Sequence, residues 1–207
     1  VTTASRLRFG LGFALVWIFV AALFGAVPFV STPTLGQAVW ISGFAKSLAL
    51  QSPLSLYASH FGLPHPAAIS FGLPGAVVQS WFIRLGIDTL NAYSFMFAWW
   101  LGVALAGGVP FCRRHQVPLL LALLLATVWL CSPIVWGHTG YSMLAIGFAL
   151  LPTYLWCAHV SFERVAANAW LALLILCMAC LCAVFTDGYT FVMFAVASAI
   201  LIPSTVP

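Results

Sequence analysis

Residues 31–93 read STPTLGQAVWISGFAKSLALQSPLSLYASHFGLPHPAAISFGLPGAVVQSWFIRLGIDTLNAY, and they separate two strongly apolar runs of the chain. The segment mixes prolines, histidines and cations with many aromatic and aliphatic side chains, so it is neither a spanning helix nor a polar loop. A membrane protein that only reverses direction needs a few residues for the turn. About sixty half-apolar residues therefore predict a structure that lies on the bilayer surface.

The composition excludes a soluble globular domain. Charged residues make up 5% of the chain and hydrophobic residues 64%, whereas a soluble domain has roughly 25% charged residues. Several apolar runs reach the roughly 20 residues that cross a bilayer. The net charge of +4 comes from basic residues that are isolated or paired at the ends of these runs, which does not indicate nucleic-acid binding. We expect one all-α, polytopic transmembrane helix bundle over residues 1–207, as part of a longer chain.

Six membrane spans are predicted, and the basic residues orient them. Five of the seven basic residues fall on one side of the predicted ladder, namely Arg6, Arg8, Arg113, Arg114 and Arg164. Because Lys and Arg are kept in the cytoplasm, we expect a cytoplasmic N-terminus, an extracytoplasmic segment 31–93 and a bacterial inner-membrane location. The predicted spans are 9–29, 92–109, 117–134, 142–159 (kinked at Pro152), 170–185 and 190–202.

Within residues 31–93 we predict two amphipathic helices that lie in the interface, with a re-entrant helix pair as the alternative. A third, short helix is expected at 52–61, with Ser52 as its N-cap and Pro53 in its first turn. The first apolar stripe consists of Trp40, Ile41, Phe44, Ala45 and Leu48, with Lys46 on another face. The second consists of Val77, Val78, Trp81, Phe82 and Leu85, with Gln79, Arg84 and Asp88 outside it.

The acidic residues supply the candidate catalytic groups. Of the three in the chain, Asp88 and Asp187 lie on the predicted outer side. We interpret Asp187 as a general base, or as the ligand of a divalent cation that neutralises a phosphate. The alternative is a turn residue, because Asp187-Gly188 is a common turn pair. Asp88 is either a catalytic carboxylate or the partner of Arg84 in a local ion pair.

Basic and aromatic residues on the same side are candidates for substrate binding. Lys46 and Arg84 would bind a phosphate, or would only reach toward lipid head groups. His138 would transfer a proton or contact a phosphate, or would be a solvated loop residue. His60 and His65 have no metal-ligand spacing with each other or with a carboxylate, so no zinc site is predicted there. The substrate-binding candidates are Lys46, Arg84, His138, Tyr141, Tyr189 and His60.

The six cysteines lie in or beside apolar runs. We interpret them as small apolar fillers of the bundle. Cys177 and Cys180 have CxxC spacing in the middle of a predicted span, so a metal or redox site is the alternative interpretation.

Three stretches, FGLPGA at 71–76, WGHTGYSML at 136–144 and TDGYTF at 186–191, look similar to stretches in bacterial membrane proteins of the GT-C type. The layout as a whole also resembles the GT-C membrane glycosyltransferases, which use polyprenyl-phosphate sugars. It has a first span, a long outer segment with two surface helices, and a ladder of spans with short outer loops. The resemblance covers nearly all of this chain and corresponds to the N-terminal part of such an enzyme.

The resemblance implies a mechanism and shows one departure. The donor would be a polyprenyl-phosphate-linked sugar with its tail in the membrane lipid. An outer carboxylate would deprotonate the acceptor hydroxyl, and Lys46, Arg84 or His138 would stabilise the departing phosphate. GT-C enzymes usually carry an acidic residue early in the first outer loop, whereas residues 31–87 contain no Asp or Glu. Asp88 or Asp187 would have to take that role.

Two other classes of function stay open. A transporter or flippase for a lipid or small solute would place ionisable residues near the middle of its spans, and the predicted spans lack Asp, Glu, Lys and Arg. A non-catalytic membrane subunit would leave Asp187, His138 and Asp88 scattered, beyond about 20 Å from one another, too far apart for one site.

Overall fold

The computed structural model describes residues 3–33, 36–51, 55–59, 66–69, 71–138 and 141–202, and for residues 3–8 it describes the backbone alone. It is 76% helical, so the predicted all-α class is confirmed. The helices are α1 (Thr3–Leu23), α2 (Ala38–Leu50), α3 (Leu73–Arg84), α4 (Thr89–Arg114), α5 (Leu119–Leu130), α6 (Pro133–Trp136), α7 (Ser142–Arg164), α8 (Ala169–Thr186) and α9 (Gly188–Leu201). The strands are β1 (Tyr57–Ala58) and β2 (Ala67–Ala68).

In the described part of the chain, four helical stretches are long and apolar enough to cross a membrane, and they make the chain an integral membrane protein. They correspond to the predicted second to fifth spans. The predicted first and sixth spans are represented by shorter apolar helices, Phe9–Leu23 within α1 and Gly188–Leu201. The four long stretches are Thr89–Arg114, Leu119–Trp136, Ser142–Arg164 and Ala169–Thr186.

Helices α4 and α7 run side by side in the same direction through the bundle. Thr153 Oγ1 donates a hydrogen bond to Ala104 O at 3.4 Å, halfway along both helices. Arg114 and Glu163 form an ion pair where the two helices end. The basic cluster that follows the second predicted span therefore meets the connector between the fourth and fifth spans, as the predicted ladder requires.

Helices α1, α5 and α8, which pack on α4 or α7, run the opposite way, whereas α9 runs in the same direction as α7. In α1, Trp17 Nε1 donates to Ala98 O at 2.7 Å, and Phe24, just past the helix, stacks on Trp136 with ring centroids 4.7 Å apart. Helix α8 returns along α7, and Asp187 alone joins it to α9. The bundle consequently has two ends. The Arg114 end holds residues 113–118 and 164–169, and the Asp187 end holds Asp187 and the described residues among 24–88 and 131–141.

A proline inside α7 explains a contact between α5 and α7. Pro152 has no N–H to donate to Phe148 O, the carbonyl one turn earlier. An unpaired carbonyl is costly inside a bilayer, because no water replaces the missing donor. Trp129 Nε1 of α5 donates to Phe148 O at 3.0 Å instead. The kink expected at Pro152 stays a prediction.

Helix α2 forms where the first apolar stripe predicts a helix, and within that stripe Trp40 is half-buried. Ile41, Phe44, Ala45 and Leu48 are buried, and Lys46 is exposed. The helix is too short to span a membrane, and it packs on α3 and α4 at the Asp187 end. Its orientation relative to the bilayer plane stays a prediction.

Helix α3 forms where expected, and its predicted apolar stripe is only partly buried: Val78 is buried, and Val77 and Phe82 are half-buried. Trp81 is 50% exposed and Leu85 76% exposed, whereas Gln79 is fully buried. The Gln79 amide donates to Ser42 Oγ at 2.9 Å and to Thr89 O at 3.0 Å, so it joins α2, α3 and α4. Small residues allow this close packing, and the large apolar side chains face outward, where lipid can solvate them. The buried residues of α3 are Gly75, Ala76, Val78, Gln79 and Ser80.

The short helix predicted at 52–61 is wrong in the part that the structure describes. Tyr57 and Ala58 form a strand that pairs antiparallel with residues 67–68. The Gln51 side chain stabilises this arrangement, because its Oε1 accepts from Ser59 N at 3.1 Å and its Nε2 donates to Tyr57 O. The predicted cap at Ser52 and Pro53 lies outside the described residues.

Candidate functional site

Asp187 is the single residue between α8 and α9, and it shapes the turn between them. Its carboxylate Oδ2 accepts from Thr190 N at 3.0 Å and from Thr190 Oγ1 at 3.1 Å, so it caps the first turn of α9. The turn role is therefore real. It uses one carboxylate oxygen, and within the described residues Asp187 Oδ1 has no hydrogen-bond partner.

Thr190 holds the carboxylate in place and is itself held by α7. Its side chain is fully buried against Gly147, where an added Cβ would overlap Thr190 Oγ1 and lie 3.0 Å from Thr190 Cβ. A glycine at 147 is therefore needed for this packing. Gly147 therefore positions Thr190 by packing, and Thr190 orients the carboxylate of Asp187 by its hydrogen bonds.

The segment before α3 is fastened to the helix end beside Asp187. Gly72 N donates to Phe185 O at 2.6 Å and to Thr186 O at 3.2 Å, which satisfies two carbonyls of the last turn of α8. Gly72 has a φ of 78°, a conformation that favours glycine. A Cβ there would also overlap Ile41 Cδ1 and lie 2.9 Å from Met143 Cγ.

A second tie joins the same segment to α7. Gln37, at the N-terminus of α2, accepts a hydrogen bond from Met143 N through its Oε1 at 3.1 Å. Because Met143 lies in the first turn of α7, its N–H has no partner within the helix. The residues before α2 and before α3 are therefore both attached to the helix ends around Asp187.

These ties border an open cavity of about 870 Å³ beside Asp187. Three of the predicted site residues, Asp187, Tyr141 and Tyr189, come together in its wall. Its other walls are mainly apolar, and the described lining residues include no Lys, Arg or His. The lining residues are Gln37, Phe71, Tyr141, Met143, Leu144, Val184, Asp187, Gly188, Tyr189 and Val192.

Asp88, the other predicted carboxylate, is exposed and does not line this cavity. Its Oδ1 accepts from Leu90 N and Asn91 N at 3.1 Å each, and its Oδ2 accepts from Asn91 Nδ2 at 2.6 Å. Hydrogen bonds from the Asn91 side chain and backbone hold the pKa of Asp88 below its ordinary value. Asp88 is the N-cap of α4, a sufficient structural reason for its presence.

Arg84 does not form the ion pair with Asp88 that the sequence allowed. Its Nη2 donates to Leu48 O at 2.7 Å and to Gln51 O. These carbonyls are unpaired at the end of α2, where the helix dipole favours a cation. In the described part of the chain, Arg84 therefore connects α3 to the C-terminus of α2.

His138 and Lys46 are not among the described residues that line the cavity. His138 Nδ1 is 2.7 Å from Ile134 O, and its ring centroid is 4.7 Å from that of Phe148. Lys46 is exposed on α2. His60 and His65 lie outside the described residues.

All six cysteines are free thiols, with Cys177 exposed and the other five half-buried, and their interpretation as fillers stays a prediction. Among the described residues, no three His, Cys, Asp or Glu side chains come together. The sequence reasoning missed Thr190, Gly147, Gly72 and Gln37. Asp187 followed three residues later by Thr190 is an N-cap pattern that pointed to Thr190, whereas the others act through contacts distant in sequence.

Comparison with known proteins does not assign this chain to a family. No protein-family model matches the chain, and the comparisons with curated proteins and with solved structures return no match. The likeness to GT-C glycosyltransferases stays a prediction, and the function is inferred from the chemistry of the cavity beside Asp187.

Proposed function

We propose that the chain carries the active site of a membrane glycosyltransferase, which moves a sugar from a polyprenyl-phosphate donor to an acceptor hydroxyl on the extracytoplasmic face. One observation carries the proposal. Asp187, held by Thr190, lines an apolar cavity together with Tyr141 and Tyr189, and its Oδ1 has no partner among the described residues. A few polar groups converging in an apolar cavity are typical of ligand sites.

Asp187 would act as the general base. Its Oδ1 would take the proton of the acceptor hydroxyl while that oxygen forms a bond to the anomeric carbon of the sugar. The bond between this carbon and the phosphate oxygen would break, and the polyprenyl phosphate would leave with the electron pair. Thr190 keeps Oδ2 occupied, so that one carboxylate oxygen stays available for the proton.

The leaving phosphate needs positive charge, and the described cavity wall supplies none. Arg84 and His138 are engaged with backbone carbonyls. A divalent cation fits part of this need, because Mg²⁺ is commonly held by one or two carboxylates together with substrate phosphates and water. Asp187 is the one carboxylate in the described wall, so an all-protein cation cage does not fit. Lys46, at the Asp187 end, is the remaining predicted cation.

The same cavity supports one rival function. A lipid flippase or transporter would use the apolar walls and their lipid-facing edge without any bond making. The convergence of Asp187, Tyr141 and Tyr189 counts against a subunit with no ligand, although His138 and Asp88 lie outside the cavity wall. Loss of sugar transfer on neutralising Asp187 would separate a transferase from a flippase.

Substitution of the two carboxylates tests the proposal. Asp187→Asn keeps a good N-cap but removes the base, so sugar transfer from a polyprenyl-phosphate donor by the full-length chain in proteoliposomes should fall about 10²- to 10⁴-fold. Asp88→Asn is the matched control and should retain transfer. Unfolding of both variants in the same lipid confirms that they fold. Full transfer by Asp187→Asn would refute the proposal, and loss with Asp88→Asn alone would move the base to Asp88.

A further inference from the structure

The charge of the cavity beside Asp187 limits what can bind there. Asp187 is the one charged side chain among its described lining residues. An ionised carboxylate can accept hydrogen bonds but has none to donate. It would repel an anionic head group placed nearby, and the repulsion is strong in a poorly solvated site. The preferred head group is therefore uncharged or cationic, and it carries hydrogen-bond donors.

The two tyrosines favour a ring-shaped, hydroxylated group. Tyr141 is 62% exposed and Tyr189 74% exposed, and both line the cavity with Asp187. A phenol presents an apolar face and a hydroxyl that both donates and accepts. These two features match the apolar face and the hydroxyl groups of a sugar ring. Gln37 adds an amide to the same wall.

The apolar walls indicate the direction of entry. Val184 lies one turn before Asp187 on α8, and Val192 lies in the second turn of α9. Both line the cavity and both stay exposed on the surface of the apolar helices, at 39% and 58%. A hydrocarbon chain lying against them would leave its head group at Asp187, about one helical turn, or ~5 Å, away.

We propose that this cavity binds the uncharged, hydroxylated head group of an amphiphile whose chain approaches from the bilayer. If the proposed function holds, on which this step rests, the bound molecule is the sugar acceptor, a lipid-like alcohol or glycolipid, and the donor phosphate lies on the other side of the anomeric carbon, outside the wall of this cavity. The binding itself requires no transfer activity.

Amphiphiles that share a twelve-carbon chain test the head-group preference. Binding of labelled dodecyl maltoside and dodecyl phosphate, below their micellar concentrations, is measured on the full-length protein in lipid nanodiscs without donor. We expect saturable binding of the maltoside at least about tenfold tighter than that of the phosphate. Free maltose tests the need for the chain and should bind at least about tenfold more weakly than dodecyl maltoside. Equal affinities for the maltoside and the phosphate, or for the maltoside and maltose, would overturn the proposal.

Variants place the binding at the cavity. Tyr189→Ala should weaken binding of dodecyl maltoside about tenfold, whereas Tyr57→Ala is the control, because Tyr57 is 61% exposed at the same end but does not line the cavity. Asp187→Asn should strengthen binding of dodecyl phosphate about tenfold, and Asp88→Asn should not. If Tyr189→Ala does not fold, Tyr189→Leu takes its place. Equal effects of the Tyr189 and Tyr57 substitutions would show partition into lipid and would refute the site.

The outcomes separate this inference from the proposed function. One outcome is that sugar transfer depends on Asp187 while maltoside binding is unchanged by substitution of Tyr189 or Asp187. That outcome would refute the assignment of the head group and would still support the proposed enzyme activity. The other outcome is that maltoside binds at the cavity while Asp187→Asn retains full transfer. That outcome would refute the proposed catalytic role of Asp187 and would still support the amphiphile site.

Discussion

At the scale of single residues, the orientation of Asp187 depends on one hydroxyl group. Thr190 donates both its N–H and its Oγ1–H to Asp187 Oδ2, and its side chain is buried against Gly147. Replacing Thr190 by Val keeps the shape and the N–H but removes the hydroxyl. We expect Thr190→Val to lower the free energy of unfolding by about 1 kcal/mol and sugar transfer about tenfold, through looser positioning of the base.

Thr190→Ser is the matched variant, because it restores the hydroxyl and removes only a methyl group. Chemical unfolding and transfer rates are measured on all three proteins in the same lipid. Rescue of transfer by Ser is expected; equal losses with Val and Ser would mean that the methyl contact with α7, and not the hydrogen bond to Asp187, matters.

Gly72 makes a second prediction at this scale. Gly72→Ala places a side chain at a φ of 78°, where it would overlap Ile41 Cδ1 and crowd Met143. The positive φ alone costs about 1 kcal/mol, and the overlap adds about 1–3 kcal/mol. We expect the free energy of unfolding to fall by about 2–4 kcal/mol, because the tie from Gly72 to the end of α8 is strained.

Gly86→Ala provides the comparison, since Gly86 has a φ of 86° but nothing within 4 Å of the added Cβ. It should cost only about 1 kcal/mol. Thermal or chemical unfolding of both variants in lipid nanodiscs gives the difference. Similar losses at the two positions would contradict the close packing of Gly72 against Ile41 and Met143.

At the scale of elements, the sequence located helices α2 and α3 but did not show which neighbours their faces contact. Helix α2 buries most of its apolar stripe in the bundle. Helix α3 leaves Trp81 and Leu85 of its stripe exposed and buries Gln79, because Ser42 and Thr89 pair with its amide. The β1–β2 pair depends on the Gln51 side chain, a contact that local propensity does not report.

The same limit applies to the candidate site. Asp187, Tyr141 and Tyr189 were identified from their place between spans, because loops between apolar runs are readable from sequence. Gly147 and Gly72 were missed, since each is defined by a neighbour far along the chain. The position of a turn is local information, whereas the packing of helices that orients its carboxylate is not.

The contact between α5 and α7 yields a prediction for a pair of elements. Trp129→Phe removes the donor to Phe148 O, which Pro152 leaves without a helical N–H. We expect a loss of about 1 kcal/mol in the free energy of unfolding, the usual size for such bonds in membrane bundles. In a Pro152→Ala background the N–H of residue 152 can pair with this carbonyl, so Trp129→Phe should cost less there.

This double-mutant cycle isolates the hydrogen bond from the loss of indole packing. Trp170→Phe, at an 83% exposed position on α8, controls for the general effect of replacing a tryptophan. Unfolding of all four members of the cycle is measured in one lipid mixture. An identical cost of Trp129→Phe with and without Pro152 would show that the indole does not compensate for the proline.

At the scale of the whole molecule, the two ends of the bundle differ in chemistry. The Arg114 end carries Arg113, Arg114 and Arg164 together with Glu163, whereas the Asp187 end carries the cavity, α2 and α3. Arginines and lysines at span ends are retained in the cytoplasm. The proposed function therefore requires the Asp187 end to face away from the cytoplasm.

Thiol labelling tests that orientation. In a full-length chain whose native cysteines are replaced by alanine, Lys46→Cys reports the Asp187 end and Ala166→Cys reports the Arg114 end, because both positions are exposed. A membrane-impermeant reagent added to intact cells should label residue 46 and should reach residue 166 only after permeabilisation. A lipid-linked donor displayed outside the cytoplasm would meet the cavity beside Asp187 only in this orientation. The opposite labelling pattern would place that cavity in the cytoplasm and would rule out extracytoplasmic sugar transfer at Asp187.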